Sequence, residues 1–414
     1  MGACPFHNVL NPDLFAQGMP YDKLRELREA GPLLKVEDEL TDVPYWLVTR
    51  RNELDFIERK PDIFSSQARS AMPTEDPQEM VDEISAKMLI NMDEPRHMKM
   101  RRVVRDAFTP AAVAQHLPFL EEHAKLVVDG VAAKGECEFV TEVASELPLY
   151  TILALLDVPA EDRKKIFDLT NTMMFVTDPD ASEGADAAME ASIEMMMYAH
   201  ALKARYKTSP KDTVTKRLLE GLIDGEPISD DEFAWMFLMM ITAGNESTRT
   251  SISHGMRLLM EHPEQLQWLR DNPQGIPAAV DEMVRYNTAF ICMRRTALED
   301  VELSGQQIKK GDKIILHYNT VNHDEHVFGD DAMAFDVRRA ERHPNLSRDL
   351  RSFGTGSHFC LGTHLAKEEM RIMFEQILPR MREPEFSGPV QYMRSFFISS
   401  IKAMPIRFTP EVAA

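Results

Sequence analysis

Phe353-Gly354-Thr355-Gly356-Ser357-His358-Phe359-Cys360-Leu361-Gly362 is the stretch whose reading decides the fold. Gly354, Gly356 and Gly362 let the backbone turn tightly around one cysteine. The run that follows predicts a helix over 364–381. Cys360 therefore lies near a helix N-terminus, where amide groups and the helix dipole stabilise a thiolate. A thiolate held in this way is a metal ligand or a nucleophile. The plainer alternative is a small buried hydrophobe, the usual fate of a lone cysteine. A nucleophile would want a general base beside it, and His358 is two residues away, where side chains diverge.

Upstream, Ser229-x-x-Glu232 is a capping-box pattern directly before the apolar run FAWMFLMMITAG, 233–244. No proline follows until Pro263, so residues 230–262 can form one helix of roughly 50 Å at about 1.5 Å per residue. Further helices are expected at Tyr21–Ala30 and from about Pro277 to Tyr286. Residues 95–206 read as largely helical, with breaks at Pro110, Pro148, Pro159 and Pro179. PYWLVT, 44–49, reads as a strand. Residues 293–322 read as short strands with turns at Ser304-Gly305 and Lys310-Gly311, and 396–408 as a last β region. Residues 75–92 are acidic and Met-rich and read as a mobile or lid segment. Methionines at 173–174 and 195–197 read as core filler. The whole is one mainly helical unit with a minor β part, spanning 1–414.

Composition excludes several classes. The chain has 414 residues, 47 Lys+Arg and 67 Asp+Glu, and a formal net charge of −20. That balance argues against nucleic-acid or anionic-membrane binding, which needs clustered positive charge. The start, MGACPFHNVL, has no basic segment or apolar core, so no secretory signal is expected. The longest apolar run is too short to span a bilayer, so no membrane anchor is expected. Cysteines at 4, 137, 292 and 360 lack zinc-type spacing and are too few for a disulfide scaffold, which fits a cytoplasmic protein.

The glycine–cysteine loop resembles the haem-binding loop of the cytochrome P-450 monooxygenases, with every fixed position matched. The resemblance implies the P-450 fold, with haem b (iron protoporphyrin IX) between the long central helix and the Cys-loop helix. It makes Cys360 the axial ligand of the iron and places His358 on a haem propionate. Ala243-Gly244-Asn245-Glu246-Ser247-Thr248 resembles the family's oxygen-activation motif. Gly244 would let O2 approach the backbone, and Glu246 and Ser247 would feed protons, with Thr248 adjacent. The family normally carries Thr where this chain has Ser247, which keeps the hydroxyl and loses the methyl that restricts its rotamers. On composition alone, the same residues could be a helix emerging into solvent.

Glu282-x-x-Arg285 alone would be an ordinary i,i+3 surface pair. By resemblance it is the family's structural pair, with Arg339 as third member. His97-x-x-x-Arg101 places two side chains on one helix face. The resemblance assigns both to haem propionate, with Arg295 as a further partner and Arg294 pointing the other way on its strand. His323-Asp324-Glu325-His326 could suggest a metal site, but a solvated turn is expected. Cys4-x-x-His7 lies in a terminus expected to fray.

LINMDEPRH, ELPLYTILALLDVP, AGNESTRTSISHGM and SGQQIKKGD resemble the bacterial branch acting on steroid side chains, branched lipids and terpenoids, and the likeness runs from about residue 11 to 410. Position implies a pocket of Met239, Met240, Ala243, Ile291 and Phe397, all apolar, hence a hydrophobic substrate. A steroid or terpenoid is the favoured class; a linear alkane or fatty acid is the alternative. The chain leaves no room for flavin or iron–sulfur domains. Electrons are therefore expected from an external ferredoxin and its NAD(P)H-dependent reductase, docking on the basic run Arg96, Lys99, Arg101, Arg102 and Arg105. A haem-thiolate binding protein without turnover, and a cysteine-nucleophile hydrolase without haem, remain as rivals.

Overall fold

The computed structural model describes residues 8–83, 87–176, 178, 184–206 and 213–411. Cys4, His7 and Pro179 lie outside them, as do residues 84–86 of the segment read as a lid. The chain divides into two compact units. The first comprises Met1–Met98, Asp281–Cys360 and Arg394–Ser399; the second comprises Lys99–Val280, Leu361–Met393 and Ser400–Ala414.

A five-stranded sheet organises the first unit, in the order Leu33–Val36, Tyr45–Val48, Lys313–His317, Cys292–Ala297, Phe64–Ser65. Tyr45–Val48 runs parallel to Lys313–His317, and the other pairs are antiparallel. Its central strands are buried on both faces, which is why YWLV and KIILH read as continuous rather than alternating runs. Trp46 and Val48 join one apolar cluster with Leu54, Ile57 and Ile314. Tyr45 and Leu47 join another with Leu27, Leu34 and Ile315. The expected strands at 313–322 stop early, because Tyr318–Val321 turns helical. The expected turns form, with positive φ at Ser304, Gly305 and Gly311.

Glu282, Arg285 and Arg339 are all fully buried in this unit. Arg285 donates to Glu282 through Nε (2.6 Å) and Nη2 (2.8 Å), and Arg339 Nε lies 3.1 and 3.0 Å from the two carboxylate oxygens. The remaining guanidinium protons go mostly to main-chain carbonyls, Asn322, Ala332 and Ala334 for Arg285, and Asp331 and Ala334 for Arg339, which also donates to the Asp331 carboxylate at 3.1 Å. A single carboxylate thus joins a helix to two loops.

The solvated turn expected at 323–326 is corrected. His323 and Asp324 are buried. His323 packs against Tyr21 and Tyr286, and Asp324 accepts from Arg50 and from the Arg51 amide. Local polarity concealed long-range partners. In the segment read as a lid, Gln78–Glu83 forms a helix and Leu89–Asn91 a 3₁₀ turn.

The second unit is built on the helix Asp230–Glu261, 32 residues long, and Ser229 and Glu232 close both halves of the capping box. Around it run Pro110–Ala132, Glu146–Leu155, Arg163–Met174, Ala185–Tyr206 and Thr363–Arg380. The break expected at Pro110 is present, since Thr109 is extended and Pro110 opens a new helix. The break expected at Pro148 is corrected, because Pro148 sits in a first turn, where no amide proton is needed. The methionines divide, with Met195 buried and Met197 mostly exposed. Among the described residues no helix is long and apolar enough to cross a membrane.

Arg339→Ala would leave Glu282 short of a buried cation. A loss of about 3–5 kcal/mol is expected in chemical denaturation, and a loss below about 1 kcal/mol would mean that the triad is not a structural lock.

Candidate active site

In the first unit, Gly354 and Gly356 each adopt a φ of +67°, a conformation that disfavours side chains. A Cβ on Gly356 would also collide with the carbonyl oxygen of Glu58. The Cys360 amide donates to the Phe353 carbonyl at 2.9 Å, closing the loop, and the helix Thr363–Arg380 follows. The Cys360 side chain is partly exposed.

Basic side chains stand in the same unit. His97, buried in the helix Arg96–Arg105, stacks on His358 with ring centroids 4.0 Å apart. Its Nδ1 lies 3.1 Å from Glu94 Oε1, and His358 Nε2 lies 3.4 Å from Ser66 Oγ. Arg101, one turn further along the helix Arg96–Arg105, belongs to the second unit and is half-buried. Arg295 is buried on the strand Cys292–Ala297, with Nη2 3.5 Å from Glu58 Oε1. Arg294 points the other way, as expected, and meets Glu75 at 2.9 Å. Burial opposes the Glu75 charge, but Lys313 at 2.8 Å and Arg294 overcome it and hold the carboxyl below its usual range.

The second unit carries the long helix. It is buried along most of its length, yet Met239 and Ser247 are half-buried and Ala243 is exposed in its middle. These three positions recur every four residues and form one open strip. Met240, about 100° round the helix, is buried instead. Gly244 faces Ile152, where an added Cβ would press at 3.1 Å, so helix packing favours glycine there. Ser247 Oγ donates to the Ala243 carbonyl at 2.7 Å.

Glu246 is fully buried. Its Oε1 accepts from Arg249 Nη2 and from Ser400 Oγ, each at 2.5 Å, and Ser400 also meets Thr250 at 2.7 Å. Oε2 lies 2.5 Å from the same Arg249 nitrogen but lacks hydrogen-bond geometry. Arg249 continues to Asn171 Oδ1 at 3.2 Å. Thr248 is buried against Glu369, together with Thr151. Thr151 spends its only proton on the Leu147 carbonyl at 2.7 Å, so it can only accept from Glu369. Burial pushes the Glu369 carboxyl up to about 8, which supplies the proton that Thr151 requires.

Of the expected pocket residues in the first unit, Phe397 is half-buried and packs its ring 5.1 Å from Phe290. Ile291 is corrected. It lies just before the strand Cys292–Ala297 and is fully buried in the cluster with Leu27, Cys292 and Ile315, while Phe290 packs against the other cluster.

The sequence profile described as Cytochrome P450 matches residues 274–384. A steroid C26-monooxygenase of Mycolicibacterium smegmatis is 35% identical, covering 97% of this chain and 93% of the relative. A methyl-branched lipid omega-hydroxylase of Mycobacterium tuberculosis is 34% identical, covering 88% and 84%. A Mycobacterium marinum cytochrome P450 in complex with pseudoionone superposes with a TM-score of 0.87 at 30% identity, covering 99% and 100%. The chain belongs to the cytochrome P450 family. It is a monooxygenase, and its cofactor is protoporphyrin IX haem.

The donor set fits that cofactor. Among the described residues no group of three or more His, Cys, Asp and Glu could hold a bare ion. A metal at Cys360 must therefore bring its own equatorial ligands, as a porphyrin does. His97, His358 and Arg295, which stand in the same unit as Cys360, are of the type that could hold its carboxylates. Sequence reading of this P450 missed Arg249, Ser400, Glu369 and Glu58. Only Arg249 had a local signal, its i,i+3 spacing from Glu246; the others meet their partners through the fold.

Glu369→Gln tests the protonation state. The native carboxyl titrates near 8 when folded and in the ordinary carboxylate range when unfolded, so it destabilises the fold progressively as pH rises between those values. The melting temperature of the variant relative to wild type is expected to climb from about pH 5 to 8 and then level off. A difference independent of pH would mean that Glu369 is ionised in the native state.

Proposed function

We propose that this P450 hydroxylates an unactivated carbon of a steroid or terpenoid, with R–H, O2, two electrons and two protons giving R–OH and water. The observation that carries this reading is the open strip Met239, Ala243 and Ser247 on an otherwise buried helix, directly beside the Glu246 clamp. Apolar groups that bind substrate and polar groups that manage protons share one helical segment. The two curated relatives act, by name, on a steroid and on a methyl-branched lipid, which supports a substrate of that kind.

Thiolate-ligated haem supplies the oxygen chemistry. In this reading Cys360 would hold the iron through its thiolate, and His97, Arg101, Arg295 and His358 would hold the propionates. Met239, Met240, Ala243 and Phe397 orient the substrate and exclude water. Glu246 takes and returns protons, and Ser247 passes them on, since its oxygen can accept while its own proton rests on the Ala243 carbonyl. Gly244 and Thr248 keep the helix closely packed around this pair. The reduced, CO-bound protein is expected to show the strongly red-shifted Soret band of thiolate haem, and Cys360→Ala to lose it. Spectral titration should show a steroid or terpenoid displacing the iron-bound water. A response confined to linear fatty acids would replace the substrate class, and absence of the red-shifted band in haem-loaded wild type would defeat the reading.

Electrons are proposed to come from NAD(P)H through a reductase and an acidic ferredoxin. Arg96, Arg102 and Arg105 are exposed on the helix Arg96–Arg105, whereas Lys99 is engaged by Asp224 at 2.7 Å. Arg102→Glu with Arg105→Glu is expected to slow reduction by roughly tenfold at low salt and to flatten its salt dependence. Unchanged reduction kinetics would place the docking surface elsewhere.

A further inference from the structure

One buried carboxylate touches both the cysteine loop and the arginine assigned to haem propionate, and the function proposed above gives it no role. Glu58 ends the helix Arg51–Glu58 and is almost wholly buried. Its Oε1 accepts from Tyr318 OH at 2.7 Å and lies 3.5 Å from Arg295 Nη2. Its Oε2 accepts from the Thr355 amide at 2.8 Å, inside the cysteine loop. Its main chain is in contact as well, because the Glu58 carbonyl occupies the space that a side chain at position 356 would need. Gly354 packs against the carboxylate, with a hypothetical Cβ only 3.5 Å from Oε1. Three successive loop residues are therefore gauged against one glutamate. Burial raises the Glu58 carboxyl above its ordinary range, against the opposing pull of Arg295 and Tyr318. Both of its oxygens nonetheless accept from donors and a guanidinium stands beside one of them, an arrangement that suits the carboxylate form.

We infer that Glu58 is a positioning residue for the haem, fixing the Thr355 amide of the cysteine loop and the Arg295 guanidinium in one register. The inference rests on the P450 reading of Cys360 and Arg295. A carboxylate can serve both partners because its two oxygens accept independently. Glutamine can accept at only one of them and presents a donor at the other. Aspartate keeps the charge but is one methylene too short to reach Tyr318 and Thr355 together.

The test uses haem-loaded protein and three readouts: the rate of haem transfer to excess apomyoglobin, the reduction potential of the iron, and the CO spectrum. Glu58→Gln is expected to accelerate haem loss about tenfold or more, as befits a lost charged hydrogen bond, and to move the potential to less negative values, because an anion near the haem is removed. Glu58→Asp is expected to accelerate haem loss while leaving the potential near wild type, and it serves if the glutamine variant does not load haem. In an Arg295→Gln background, Glu58→Gln should add less to haem loss than it does alone, because the two act as a unit. Wild-type haem loss and potential in Glu58→Gln would overturn the inference, as would full additivity with Arg295→Gln. Failure of the P450 reading is separate, since it would show as absence of the red-shifted band in wild type.

Discussion

A buried carboxylate needs compensation, and the way Glu282 obtains it fixes much of what surrounds it. Arg285 approaches it from the same helix and Arg339 from the start of the short helix Arg339–Arg342, and their other protons go to main-chain carbonyls and, from Arg339, to the Asp331 carboxylate. The carbonyls they meet, of Asn322, Asp331, Ala332 and Ala334, lie in turns rather than in regular elements. The pair of arginines therefore converts a stretch with little regular structure into a rigid one. Asn322 extends the same arrangement, since its side chain bonds Thr288, Ser352 and the Arg351 amide just before the cysteine loop. The loop inherits its position from this network rather than from an element of its own.

Close approach is the second constraint. Gly356 tolerates the Glu58 carbonyl, and Gly244 lets the helix Glu146–Leu155 come near through Ile152. Both glycines were visible in the sequence, but only the first for the right reason. The loop glycines signalled a tight turn, and positive φ values agree. Gly244 signalled access to the backbone, whereas its neighbour in the structure is an aliphatic side chain. A glycine in a motif says that space is limited, and says nothing of what fills that space.

Legibility followed the range of the interactions. The capping box at Ser229 and the helix Tyr21–Ala30 depend on contacts within a few residues, and the sequence states them almost completely. Cys360, His97, His358 and the Glu282 triad were legible through motif resemblance. Glu58, Glu369 and Ser400 were not legible at all, because Thr355 lies 297 positions from Glu58 and Ser400 lies 154 from Glu246. Ile291 was misplaced because its burial comes from packing with Leu27 and Ile315, partners distant in sequence that no local pattern announces.

The formal charge of −20 counts every carboxylate as ionised, and the interior shows why that count is only formal. Four buried glutamates meet four degrees of compensation. Glu282 has two guanidiniums, and Glu246 has one guanidinium and a hydroxyl. Glu58 has a phenol, an amide and a more distant guanidinium, and burial prevails enough to raise its carboxyl. Glu369 has hydroxyls only, and burial carries it to about 8. For the last two, burial outweighs the donors that reach the carboxyl and raises its proton affinity. Glu246 and Thr248 lie about 200° apart on the long helix, with Ser247 between them. One side of Ser247 therefore leads to a carboxyl held by a cation, and the other to a carboxyl that keeps its proton at neutral pH. That contrast is set by what each acid packs against, so a change in either environment would alter the protonation of this helix segment without touching its sequence.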